Sequence, residues 1–306
     1  MKQNVFEKGI STGYYCPLSP EESVLELIKH GFSSAEMSYE HAVMLLDRCG
    51  GSWMKKAYTF DIGDKTSPDG KTPTDIGKEF GEFLKQNNFS IPQAHLYYMI
   101  DNGDKRAIEV HLRWIELYVA MGVKNLVIHA ARKVGIPPED EDRRNVVANL
   151  AEIVKGLDGT DAYLCIENTT YGLTYSVDQI LKIIEDAGNS EHFAVCLDTG
   201  HLNMHLNKGF TTQTHREYIL KAGSKLRALH IANNDGSADM HCLPYNLKAG
   251  AGRLVDWQEV VEALKEIGYK HLFNFEVPGE CVAPKAVKDL KIDYISKLAD
   301  YMLTEL

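Results

Sequence analysis

Short runs of β-branched and apolar residues recur along the chain, each closed by a polar residue and followed by an amphipathic stretch of helical length. KNLVIHA, DAYLCIENT, HFAVCLDTGH, KLRALHIAN and HLFNFEV are the clearest. They are continuous rather than alternating, which is the pattern of parallel strands buried on both faces. Between them lie EDRRNVVANLAEIVKGLDG, SVDQILKIIEDAGN and DWQEVVEALKEIGY. The last places Val260, Val261, Leu264 and Ile267 on one helical stripe, stopped by Gly268. Earlier strands are read near KGIST, SSAEMS and SIPQAHL, with helices at about 19–30, 74–87 and 104–121 and a final helix at 284–303. Eight strand-helix units of this kind predict a closed (β/α)8 barrel forming one domain over 1–306. An open doubly wound sheet would carry an early Gly-rich phosphate turn, and GISTGYY is not one. The segment 50–73, with the turn signals of SPDGKTPTD, reads as a long insertion after the second strand and a candidate lid.

Composition narrows the partners. The 306 residues are 44% hydrophobic and 25% charged, as expected of a globular chain with a sizeable core. The formal net charge is -10 and the cations are scattered, so no nucleic acid is expected as a partner, because phosphate binding needs clustered Lys and Arg. No apolar run approaches the roughly 18 residues of a membrane span, and MKQNVFEKGI lacks a signal-peptide core. The expectation is a cytoplasmic protein without a membrane partner. Cys16, Cys49, Cys165, Cys196, Cys242 and Cys281 form no C-x-x-C pair and are expected as reduced thiols, Cys165 and Cys196 as core filler. Trp53 and Phe60 in the insertion are expected to close over a pocket or to pack on a second copy, with a homo-oligomer as the expected assembly.

The chemistry lies in the residues that end the apolar runs: His95, His129, Glu167, Asp198, His230 and Glu276. They recur at roughly the spacing of one βα unit, so a barrel brings all six to the face formed by the carboxyl ends of its strands. Any one of them alone reads as a helix cap or a surface residue. Six together would repel and lose hydration unless a cation lay among them. Glu167, Asp198, His230 and Glu276 supply three carboxylates and one imidazole, a donor set suited to one divalent ion (Mn, Mg, Co or Zn).

The motifs CIENT, CLDTGH, LHIANNDG, DMH and FNFEVPGE, in this order, resemble the strand-end motifs of the xylose isomerase-like TIM barrels. That superfamily holds sugar (phosphate) isomerases and epimerases, ketose 3-epimerases among them, and type IV AP endonucleases. The resemblance covers about residues 90–280. It implies a single metal ion on Glu167, Asp198, His230 and Glu276, with Glu167 and Glu276 doubling as the catalytic acid and base. It also implies that His201, beyond a tight turn after Asp198, touches substrate oxygens. His95, His129, Asp239 and His241 join it as expected substrate-binding residues. The implied activity is isomerisation or epimerisation of a sugar or sugar-like α-hydroxy ketone. Such a reaction takes a proton from carbon and needs a base in reach and a cation on the substrate oxygens.

The resemblance leaves alternatives. Dehydratases and lyases acting on keto-sugars or keto-inositols share the same metal and enolate chemistry. The nine residues named above also fill every position that carries a three-zinc cluster in the AP endonucleases, so a trinuclear phosphodiesterase is the rival reading. The acidic balance weighs against it. LPYNLKAGAGRLVDW is longer than the corresponding family loop. Tyr14, Tyr15, Tyr97, Tyr98 and Tyr171 are candidates for stacking on a sugar. No Gly-rich phosphate cradle is evident, although Arg132, Lys133 and Lys248 are available, so an unphosphorylated substrate is expected.

Overall fold

Eight parallel strands close on themselves in the computed structural model, which describes residues 6–49, 52–55, 59–61, 70–96, 105–130, 140–246, 252–279 and 283–306. In chain order the strands are β1 (Glu7–Ile10), β2 (Ser34–Met37), β3 (Ser52–Lys55), β4 (Thr59–Asp61), β5 (Ser90–His95), β6 (Asn125–Ile128), β7 (Tyr163–Glu167), β8 (Phe193–Asp198), β9 (Leu226–His230) and β10 (Leu272–Phe275). β2-β5-β6-β7-β8-β9 form one continuous parallel sheet, and β1 pairs with β10. Bridges between Ser11 and Glu36 and between Ile231 and Phe275 join the two sheets, so the barrel has no open edge. β3 and β4 are an antiparallel hairpin outside it, within the predicted insertion.

The helices are α1 (Pro20–Lys29), α2 (Tyr39–Leu46), α3 (Pro73–Gln86), α4 (Lys105–Met121), α5 (Asp140–Ile153), α6 (Val177–Asp186), α7 (Thr199–Lys208), α8 (His215–Ala222), α9 (Trp257–Glu266) and α10 (Lys285–Glu305). Local chemistry sets several starts. Ser19 with Glu22 and Thr72 with Asp75 form capping boxes, each followed by a proline at the first helical position. The predicted helices match α1, α3, α4 and α10 closely. α2, which begins directly after β2 behind the Ser38 cap, was not anticipated, and the stretch expected to hold one helix between β8 and β9 holds the pair α7 and α8. The turn expected at Thr199 and Gly200 is instead the first turn of α7.

Leucine, isoleucine, valine and aromatic side chains fill the layer between barrel and helices. Inside the barrel a separate cluster of Val127, Cys165, Ala194, Cys196 and Ala228 packs on the strands' inner faces. Cys165 and Cys196 are therefore core, and burial pushes the Cys165 thiol up to about 12. Cys281 lies outside the described residues. No described helix is long and apolar enough to cross a membrane.

α3 and α4 approach so closely at Gly77 that a Cβ there would lie 2.3 Å from the Leu117 carbonyl oxygen and 2.9 Å from the Ala120 Cβ. Gly77→Ala gains up to about 1 kcal/mol of helix propensity. Overpacking against backbone costs about 1–3 kcal/mol and prevails. A lower melting temperature is expected; an unchanged one would show that the two helices separate freely.

Candidate active site

His95, Glu167, Asp198 and His230 are the last residues of β5, β7, β8 and β9, and His129 and Glu276 stand one residue beyond β6 and β10. Barrel geometry thus delivers all six to the carboxyl face, as the spacing predicts. Glu167, Asp198, His230 and Glu276 each offer a ligand atom, and these atoms all lie within 4.8 Å of one another. Both oxygens of Glu167, Asp198 Oδ2, His230 Nδ1 and Glu276 Oε2 are buried without a hydrogen-bond partner. Buried polar atoms are ordinarily paired, and an unpaired one costs about 1–3 kcal/mol. Five such atoms converging on one point fit a divalent cation.

Asp198 is held by its neighbours. Asn168, one residue past β7, donates to the Asp198 carbonyl at 2.9 Å and accepts from its N–H at 2.7 Å. Asp198 Oδ1 caps α7 by accepting from the His201 N–H at 2.5 Å, which leaves Oδ2 for the cluster. The cap reading is met by Oδ1, and Oδ2 is the oxygen left for the ligand reading. Because His201 lies in the first turn of α7, its ring returns to the site, where Nδ1 donates to the Asn168 carbonyl at 2.8 Å. Nε2 then faces Asp239 Oδ2 at 3.1 Å.

Asp239 and His241 come from the loop after β9. An antiparallel bridge between Asn233 and Cys242 anchors that loop, as does Asn207, which accepts from the Arg253 N–H at 2.7 Å and donates to its carbonyl at 3.0 Å. His241 adopts a left-handed backbone, φ 44°, of the strained kind found at functional sites. Its Nδ1 donates to the Glu276 carbonyl at 3.0 Å, so Nε2 meets Asp239 Oδ1 at 3.1 Å. His201, Asp239 and His241 form a second ligand-capable group, and His95, His129 and Glu167 a third. His95 Nδ1 donates to the Leu96 carbonyl and its Nε2 lies 3.5 Å from Glu167 Oε2; His129 Nε2 lies 3.1 Å from the same oxygen, with its Nδ1 on the Tyr171 hydroxyl.

Charge is shared across this cluster. Burial disfavours the Glu167 carboxylate, but the imidazoles of His230 and His129 outweigh it and hold the group well below its usual range. Burial raises Asp198 to about 6, opposed by His201 and reinforced by Glu276 and Glu167. Burial also opposes the charge of His230, yet Glu276 and Glu36 lift its pKa well above the usual imidazole value.

The cavity above the cluster measures about 570 Å³. Glu36, Glu40, Glu167, Asp239 and Glu276 line it, with no Lys or Arg among its described lining residues. Of the aromatic candidates, Tyr14 lines the cavity, Tyr171 supports His129, and Tyr15 hydrogen-bonds to Asp289. Tyr97, Tyr98, Arg132, Lys133 and Lys248 lie outside the described residues, and Trp53 and Phe60 fall on the β3–β4 hairpin. Sequence reasoning missed Glu36, Asn168 and Asn274; the signal available for Glu36 was a lone carboxylate inside a predicted strand.

A family profile described as xylose isomerase-like TIM barrel matches residues 45–298. The chain belongs to that family. Among solved structures, barrels of this kind superpose over nearly the whole chain. A D-tagatose 3-epimerase-like protein aligns with a TM-score of 0.66 at 21% identity, over 98% of each chain. D-psicose 3-epimerase, solved in the presence of D-fructose, aligns with a TM-score of 0.68 at 14% identity, over 97% of this chain and 99% of that one. At such identities the likeness establishes the fold. An uncharacterized protein of Sinorhizobium fredii, y4fM, is 27% identical over 181 residues, 56% of this chain and 52% of that protein. The match thus spans about half the length of that relative.

Proposed function

We propose that this chain is a divalent-metal-dependent isomerase or epimerase acting on a sugar or sugar-like α-hydroxy ketone. The observation that carries the reading is the convergence of buried, unpartnered donor atoms from Glu167, Asp198, His230 and Glu276 beneath a cavity lined by carboxylates and imidazoles. When bound there, a divalent ion would supply Lewis-acid stabilisation of the negative charge that develops on the substrate oxygens. Glu167 and Glu276, on β7 and β10, act as proton acceptor and donor at the substrate carbon. Glu167, kept ionised by its ring of imidazoles, is ready to accept. His201, His95, His129, His241 and Asp239 orient the hydroxyls. An acidic wall without described cations favours an uncharged polyol over a sugar phosphate. The resemblance to ketose 3-epimerases supports the same class.

The test is a panel of ketoses and keto-glycosides in D2O with Mn2+ supplied, scored for deuterium entering carbon next to a carbonyl. Loss of a β-substituent instead of its retention would mark a lyase or dehydratase. A second reading is favoured by the two flanking groups, His95/His129/Glu167 and His201/Asp239/His241, which together with the central four match a trinuclear zinc phosphodiesterase. Metal analysis separates the two: one ion per chain supports the isomerase, whereas three ions with cleavage of an abasic duplex would replace it with the nuclease.

A further inference from the structure

Glu36 is a buried carboxylate that no step above uses. It is the third residue of β2, 2% exposed. Oε1 reaches across the barrel to His230 Nε2 at 3.0 Å, and Oε2 accepts from the side-chain amide of Asn274 on β10. A carboxylate oxygen accepts, so Nε2 is the nitrogen of His230 that carries the hydrogen. Nδ1 is then bare. It is buried without a hydrogen-bond partner, 3.4 Å from Glu167 Oε2 and 3.3 Å from Glu276 Oε2. In that neutral form the lone pair faces two carboxylates, an arrangement that holds only with a cation between them, and a metal ion there takes the place of the proton that the ring otherwise binds. The other imidazoles of the site are turned the opposite way: His95, His201 and His241 direct Nδ1 to backbone carbonyls, His129 directs it to the Tyr171 hydroxyl, and all four present Nε2.

We infer that Glu36 is a positioning residue that fixes His230 in the Nε2–H tautomer and so keeps Nδ1 available as the nitrogen donor of the four-residue metal site. The inference rests on the metal reading proposed above. Without an acceptor at Nε2, the neutral ring gains by moving its hydrogen to Nδ1 and donating to Glu167 or Glu276. That arrangement satisfies the ring and removes a ligand.

Mn2+ titration against a competing chelator, with thermal melting as a fold control, tests this on wild type, Glu36→Leu and Glu36→Gln. Glu36→Leu should bind about 10- to 100-fold more weakly, the usual effect of losing a partner behind a ligating histidine. Glu36→Gln should retain most of the affinity. Its amide oxygen still accepts from Nε2, and the Asn274 oxygen, which has no partner, can turn to accept from the new amide. A folded Glu36→Leu protein with wild-type affinity would overturn the inference, and so would a Glu36→Gln protein as weak as Glu36→Leu. Wild type that fails to bind Mn2+ would overturn the metal reading itself. Nitrogen-15 spectra of histidine-labelled, Zn2+-loaded wild type decide the matter even if Glu36→Leu does not fold. The hydrogen of His230, identified by the loss of its signals in His230→Gln, is expected on Nε2; a bare Nε2 would overturn the assignment.

Discussion

Glu167→Gln is expected to slow solvent exchange of the substrate's carbon-bound proton by about 10²- to 10⁴-fold, the range that positioned acid–base groups contribute. The substitution is nearly isosteric, but it replaces a charged carboxylate oxygen by an amide group that donates. Four imidazole nitrogens lie 3.1–3.5 Å from the Glu167 oxygens, so the lost charge is felt by His95, His129, His201 and His230 together. Metal affinity falls as well, and saturating Mn2+ separates the two effects. If exchange returns to the wild-type rate once the site is filled, Glu167 is a ligand only and its role as base is wrong. Glu276→Gln supplies the complementary measurement. On the proposed epimerase reading, one glutamate would face the departing proton of one epimer and its counterpart that of the other. At saturating metal the two variants should therefore differ in which epimer they fail to exchange.

The barrel and the grouping of its candidate site residues were legible for a common reason. Strands enclosed on both faces must be apolar along their length, so KNLVIHA or HFAVCLDTGH announces both a strand and the point where it emerges. The first charged residue after such a run stands at the strand's carboxyl end. That is why His95, His129, Glu167, Asp198, His230 and Glu276 could be placed together before any coordinates. Glu36 escaped because β2 is only four residues long and the barrel buries its carboxylate from within, where the partners His230 and Asn274 come from β9 and β10. Local sequence carries no trace of hydrogen bonds to partners 194 and 238 residues away.

α7 was hidden for a related reason. Its first two turns are buried on every side, with His201, Asn203 and His205 spread among Leu202 and Met204, so a helix packed on polar partners shows no apolar stripe. His205 Nε2 donates to the Thr169 carbonyl, and Asn203 donates to Asn234. The polarity that conceals the helix supports the loops after β7 and β9.

Asp198→Asn is expected to abolish the stabilisation by Mn2+ while leaving the fold intact, because the two oxygens of Asp198 do different things. Oδ1 caps α7, and asparagine caps about as well as aspartate. Oδ2 faces the cluster with no partner, and there an amide presents hydrogens where a cation needs a lone pair. Wild type at about 1,000 times its dissociation constant gains roughly 4 kcal/mol from the metal, a shift of several degrees in melting temperature. The asparagine variant should melt at one temperature with or without Mn2+. Asp198→Ala removes the cap too and should lose a further ~0.5–2 kcal/mol. Acid should reproduce the asparagine result in wild type. Burial raises the Asp198 carboxyl from its ordinary value to about 6, so between those values the folded protein binds a proton that the unfolded chain does not. In that window Asp198 contributes less stability as pH rises, whereas the ion requires the group deprotonated. Protons and metal compete, and the Mn2+-induced rise in melting temperature should shrink as pH falls through about 6. If Mn2+ stabilised Asp198→Asn as strongly as wild type, the ion would have to bind elsewhere, and the four-residue site would lose its claim.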